Sequence, residues 1–318
     1  MNPRKLRLSL ALLGCLAWLS AQAGSAMDGP TSTLPSQTDA RIQHFDQPHL
    51  SWVPQGSPRH QLVVYLPGTG GHPNPRSLLP EVATRLGFHF VSLMYPDAVS
   101  AQRACRESES PAAYTAFRTA IIEGGRYEQL VVPPAESIEN RLTQLLVYLR
   151  RSQPREGWGE YLAGDRIAWS KIVIAGHSQG GGHAYLIGKM HPVARVVMLS
   201  SPKDYSERFH APAAEFEATG ATPPQREFAF NHVRDTQAYC NHDQQMECFQ
   251  KMGLTILGSA DADSPQHDYR RAHLLFTDVQ LAGGNPHGAT LGNGQYIGQT
   301  AESLCVPAWT YMLTAPTP

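Results

Sequence analysis

The sequence predicts an α/β fold in which a mostly parallel central sheet is covered by helices on both faces. Three observations carry this. Short apolar runs end repeatedly at Gly or Pro, helix-spaced apolar stretches lie between them, and a glycine-rich turn joins one such run directly to a helix. With 318 residues, 42% hydrophobic and 17% charged, the chain is long enough for one large α/β domain.

Taken in order, Leu62–Leu66 is a buried strand ending at Pro67-Gly68, and Phe88–Met94 is a second ending at Tyr95-Pro96. Lys171–Ala175 runs into Gly176, and Arg195–Leu199 ends at Ser200-Ser201-Pro202. Phe228–Val233 and Leu274–Thr277 complete the strand set. Between strands, Glu136–Arg151 places Ile138, Leu142, Leu145, Leu146 and Leu149 on one helical face, and Ser178–Met190 fits a helix that follows a strand at once. In parallel sheets of this kind chemistry gathers at the carboxyl ends of the strands.

The N-terminus reads as a processed leader. Arg4, Lys5 and Arg7 precede an apolar stretch from Leu8 to Leu19, and Ala21-Gln22-Ala23 and Gly24-Ser25-Ala26 offer small-residue cleavage sites. The expectation is a signal peptide over 1–26, a secreted or periplasmic protein, and no stable membrane anchor, because the apolar run is short for a span. Residues 27–40, rich in Pro, Ser, Thr and Gly, are expected to be a disordered linker, and 41–318 the folded domain. The expected mature chain keeps 23 basic residues against 27 acidic ones, a net charge of −4, and no cationic patch suggests a nucleic-acid partner. Cys105, Cys240, Cys248 and Cys305 are an even set in a chain bound for an oxidising compartment. The pairings favoured are Cys240 with Cys248 and Cys105 with Cys305, out of three that four cysteines allow.

The chemical signal is Gly176-His177-Ser178-Gln179-Gly180, a G-x-S-x-G sequence set between an apolar strand and a helix. In that setting the serine sits on a strained turn with its hydroxyl thrust out, while glycine at 176 and 180 avoids backbone collisions. Ser178 is therefore the candidate nucleophile. His177 is expected to pack away from it, and His183, on the following helix, is expected to be structural.

On these residues the chain resembles the α/β-hydrolase superfamily, and in particular its extracellular esterase and lipase-like members, from about Leu62 to about Leu291. The resemblance implies a triad in the order Ser, acid, His. His287, in Gly283-Gly284-Asn285-Pro286-His287-Gly288, is the preferred base, expected on a flexible loop, with His267 and His273 as alternatives. Asp235, after Phe228–Val233, is the preferred acid over Asp243, Asp261 and Asp263. It also implies an oxyanion hole from the amides of Gln179 and Thr69, the latter in Pro67-Gly68-Thr69-Gly70-Gly71, with Gly70 as second choice. Pro67 stands where lipases usually carry histidine. Residues 202–226 are a candidate cap insertion.

The expected activity is hydrolysis of a small-molecule, lipid or polymer carboxylic ester through an acyl-enzyme. An amidase or acyltransferase on the same triad, or a binding protein on a catalytically idle hydrolase fold, are the alternatives. No cofactor and no metal are expected: Gly182–Lys189 lacks P-loop spacing, Pro73 interrupts any dinucleotide fingerprint after Gly68-Thr69-Gly70, and no H-E-x-x-H occurs.

Overall fold

A computed structural model describes residues 29–217, 219–267 and 269–317. The expected signal peptide, residues 1–26, lies outside the described residues. Among the described residues no helix is long and apolar enough to cross a membrane.

Nine strands form the central sheet: β1 (Thr31–Thr33), β2 (His49–Trp52), β3 (Leu62–Leu66), β4 (His89–Ser92), β5 (Ile172–His177), β6 (Arg195–Leu199), β7 (Glu227–His232), β8 (Ser259–Asp261) and β9 (Leu274–Thr277). Their order is β1-β2-β4-β3-β5-β6-β7-β9-β8. Only β2 runs against the rest, being antiparallel to both β1 and β4. This is the mostly parallel, helix-covered sheet that the apolar runs predicted.

Side-chain alternation builds two cores. Leu62, Val64 and Leu66 of β3, with Ile172 and Ile174 of β5, face a core completed by three helices: α3 (Ala113–Ile122), α4 (Ile138–Ser152) and α5 (Gln179–Met190). Val63, Val173 and Ala175 point the other way, toward α1 (Leu78–Arg85) and α8 (Ala301–Thr314). Each such buried Val, Ile or Leu contributes about 1.5–3 kcal/mol. Further helices are α2 (Ala101–Cys105), α6 (His242–Lys251) and the single turn α7 (Pro286–Ala289).

The structure corrects three expectations. The stretch 27–40 is not a disordered linker where it is described. Thr31–Thr33 pairs with His49–Ser51 as β1, one helical turn spans Pro35–Thr38, and the backbone amide and hydroxyl of Ser36 both donate to the Asp46 carboxylate at 2.8 and 2.7 Å. Here edge pairing and a buried Pro35 outweigh a polar composition.

Among the described residues the cysteines Cys105, Cys240, Cys248 and Cys305 are free thiols, all buried. Cys105 belongs to the core on one face of the sheet and Cys305 to the core on the other, so the sheet itself separates the second expected pair. Cys240 and Cys248 share a core, yet remain unbonded, each thiol directed at a backbone carbonyl (Asn241 O and Asp204 O, both at 3.8 Å).

In place of the expected cap, the described residues of 202–226 include a hairpin, Tyr205–Ser206 with Ala211–Pro212, fastened to α3 by Tyr114 Oη donating to Tyr205 O and Thr115 Oγ1 donating to Glu215, and none of them lines the cavity beside Ser178.

Candidate active site

Each candidate residue sits just past the carboxyl end of a strand: Thr69 after β3, Ser178 after β5, Asp235 after β7 and His287 after β9. Ser178 has φ 54° and ψ −120°, a left-handed conformation forced on a non-glycine residue. The glycines around it show why the turn closes so tightly. A Cβ on Gly176 would lie 2.2 Å from the backbone carbon of Gly180, and one on Gly180 would lie 2.1 Å from the carbonyl oxygen of Leu66. The Ser178 amide donates to Leu199 O at 2.9 Å, binding the bend to β6.

His287 stands in the single turn α7, whose N-cap Asn285 accepts from the His287 amide. Its Nδ1 is 2.7 Å from Asp235 Oδ2, and both side chains are nearly fully buried. Since a carboxylate only accepts, Nδ1 carries the proton and Nε2 is left as the acceptor nitrogen. His287 does not hang on a swinging loop as expected. Its carbonyl accepts from Ser200 Oγ at 2.8 Å and from His177 Nε2 at 2.8 Å, which fixes the backbone as firmly as Asp235 fixes the ring. Burial, followed by the neighbouring His287 and Lys203, holds the His177 pKa down to about 3, so this ring is neutral. His177 therefore is not packed away from the nucleophile: its ring lies 4.7 Å from that of His287 and lines the same cavity as Ser178.

Asp235 is held on all sides. Its Oδ1 accepts from the Gln237 amide at 2.9 Å, and its Oδ2 receives both His287 and the Nζ of Lys203, the latter at 3.2 Å. Burial works to raise the Asp235 pKa. The hydrogen bond and charge of His287, then Lys203 and the Gln237 amide, outweigh it and leave the group below its ordinary value.

The loop after β3 is fastened in the same manner. Tyr95 Oη donates to Pro67 O at 2.6 Å, and Thr69 Oγ1 donates to Gln179 Oε1 at 3.0 Å. Gln179 Oε1 also accepts from the Ala101 amide at 2.8 Å. The Gly70 amide donates to Asp97 O at 3.1 Å, which removes Gly70 as an oxyanion donor and leaves Thr69. Beneath the turn, Arg118 grips Asp204 with two bonds of 2.6 Å and donates to Gln179 O at 2.8 Å.

Thr69, His177, Ser178 and His287 all line one cavity of about 1080 Å³. Arg76 and Arg103 also line it, and among the described residues no carboxylate does. The rejected candidates lie elsewhere. Asp243 is in the first turn of α6 and Asp261 ends the edge strand β8, while Asp263 accepts from Thr277 Oγ1 and the Asp278 amide. His273 stacks on Phe228 and bonds Glu227 O, and His267 packs on Tyr269. His183 is fully buried against Tyr95. Sequence reasoning missed Lys203, Ser200 and Tyr95. All three fall within four residues of a strand's carboxyl end, and that placement was the available signal.

No family model matches the chain, and no curated protein matches it. Among solved structures, it is similar to a thermophilic esterase from the planctomycete Thermogutta terrifontis, at 11% identity over 90% of each chain and a TM-score of 0.44. A Thermus thermophilus protein matches at 14% identity over 89% of this chain and 96% of that one, with a TM-score of 0.42. A Xanthomonas campestris protein, described under the alpha/beta hydrolase superfamily, matches at 15% identity over 80% of this chain and 96% of its own, with a TM-score of 0.37. Likeness of this degree leaves function to the chain's own geometry.

Proposed function

We propose that this chain is a serine hydrolase that cleaves carboxylic esters through an acyl-enzyme on Ser178. The observation that supports it best is the strained Ser178 sharing a cavity wall with a histidine whose Nδ1 is already committed to a buried aspartate. A hydroxyl is a weak nucleophile until a base removes its proton. His287 Nε2 is the nitrogen left to take it, and Asp235 holds the correct tautomer and stabilises the imidazolium that results.

As Ser178 attacks the ester carbonyl, the oxyanion forms near the start of α5. There the Gln179 amide and the helix's positive end favour negative charge, and the Thr69 amide is the second donor. Each such donor is worth on the order of 3 kcal/mol in the transition state. His287 then returns its proton to the departing alcohol. Water enters, the same base activates it, and the acid is released.

Labelling with a fluorophosphonate probe tests the reading: the purified chain should be labelled at Ser178, and Ser178→Ala should abolish both label and turnover of 4-nitrophenyl esters. A folded protein that takes no label and cleaves no ester would instead be a binding module on the same fold. The leader-like N-terminus supports export, and the N-terminal mass of the protein recovered from its producing cell checks it, with processing expected near Ala23 or Ala26.

A further inference from the structure

Lys203 is a buried cation with a complete set of partners. Its side chain is 1% exposed, and its Nζ meets Cys240 O at 2.8 Å, Asp235 Oδ2 at 3.2 Å and Asp235 O at 3.4 Å. Three acceptors match the three donors of an ammonium group. A buried lysine without an anion would be very costly, and Asp235 is the anion it contacts. The same oxygen, Oδ2, serves the ring of His287.

We propose that Lys203 is a positioning residue of the site, holding Asp235 in place and setting the pH at which His287 becomes a working base. The inference rests on the hydrolase reading above. A lone Asp235 would attract the imidazolium with its whole charge. With an ammonium on the same oxygen, part of that attraction is cancelled, so removing the ammonium should strengthen the hold of Asp235 on an imidazolium.

The other groups nearby do not substitute for this charge. His177, against His287, is neutral above about pH 3. On the far side of Lys203, Arg118 of α3 and Asp204 neutralise each other, and Gln102 of α2 donates to Asp204 and to the Lys203 carbonyl. Glu215, raised by burial and by Asp204 to about 7, hydrogen-bonds Thr115. The thiols of Cys240 and Cys248 complete the surroundings from the α6 side.

The test is the pH dependence of kcat/KM on a neutral 4-nitrophenyl ester for wild type, Lys203→Gln and Lys203→Arg, each checked for folding. Glutamine keeps a donor and removes the charge. The acidic limb, which reports deprotonation of the base, should move upward by about one pH unit in Lys203→Gln and stay near the wild-type position in Lys203→Arg. A purely structural lysine would lower kcat without moving the limb, and that outcome overturns the inference while leaving the hydrolase reading intact. Should Lys203→Gln not fold, Lys203→Met, which removes the charge and leaves no buried polar group, carries the test: a limb displaced upward supports the assignment and an unmoved one refutes it. A wild-type chain inert to both esters and fluorophosphonate removes the hydrolase reading first, and this inference with it.

Discussion

Gly180→Ala converts a steric argument into a kinetic one. The added Cβ would sit 2.1 Å from Leu66 O, 2.5 Å from Pro67 O and 2.7 Å from Leu66 C. All three are main-chain atoms at the end of β3, so no side chain can rotate away. Ordinary contact begins near 3.4 Å, which means α5 and the end of β3 must part by roughly an ångström. Overpacking of this kind costs about 1–3 kcal/mol or more of stability. For a domain of this size that lowers Tm by about 2–4 °C per kcal/mol. The functional effect should be larger than the structural one. Pro67 stands two residues before Thr69, and the parting axis separates the two proposed oxyanion donors. A misplacement of about 1 Å at a reacting centre costs about a hundredfold in rate. The assay is kcat on a short-chain 4-nitrophenyl ester alongside thermal unfolding. A variant within threefold of wild-type kcat and within a degree of its Tm would refute the close approach of α5 to β3 and the oxyanion role given to that loop.

Asp235→Asn should lower kcat by about 10⁴-fold, because the amide favours the wrong imidazole tautomer. It should also cost about 3–5 kcal/mol of stability by leaving the Lys203 ammonium buried without its anion. Adding Lys203→Met should restore stability, measured by urea unfolding, without restoring turnover; recovery of neither would break the proposed link between the two residues. Glu227, buried at the start of β7, is raised to about 8 by desolvation, with Lys189 opposing. A carboxyl raised in the fold stabilises below its unfolded value and loses that contribution as pH climbs toward 8, at about 1.4 kcal/mol per unit. Glu227→Gln should therefore gain on wild type as pH rises from 5 to 8, and equal shifts at both pH values would contradict it.

The strands were legible because a doubly covered parallel sheet needs unbroken apolar runs. β3, β6 and β9 span the residues predicted, and β5 and β7 begin or end within two residues of them. The tight turn that carries Ser178 was equally legible, since only glycine satisfies the approach distances at 176 and 180. What escaped was information carried by tertiary contact. β1 has three residues and a polar composition, and its order comes from pairing with β2. The pairing of Cys105 with Cys305 failed because parity and compartment say nothing about which face of a sheet a thiol occupies. Lys203 could not be singled out among the basic residues, since nothing local announces that its side chain turns inward to Asp235, 32 positions away.

The site's polar groups show a division that follows from the strain at Ser178. A residue held at φ 54° stays there only if its surroundings over-determine it. The protein side of the site is accordingly tied at several points: Arg118 and Thr69 fasten Gln179, His177 and Ser200 fasten the backbone of His287, and Gln237 and Lys203 fasten Asp235. On the proposed reading, Ser178 Oγ, His287 Nε2 and the amides of Thr69 and Gln179 are the groups a substrate would engage. A framework tied in this way cannot relax when one tie is cut without shifting its neighbours. Effects of paired substitutions here should therefore be far from additive, most of all for His177 with Ser200, which hold the same carbonyl oxygen of the base.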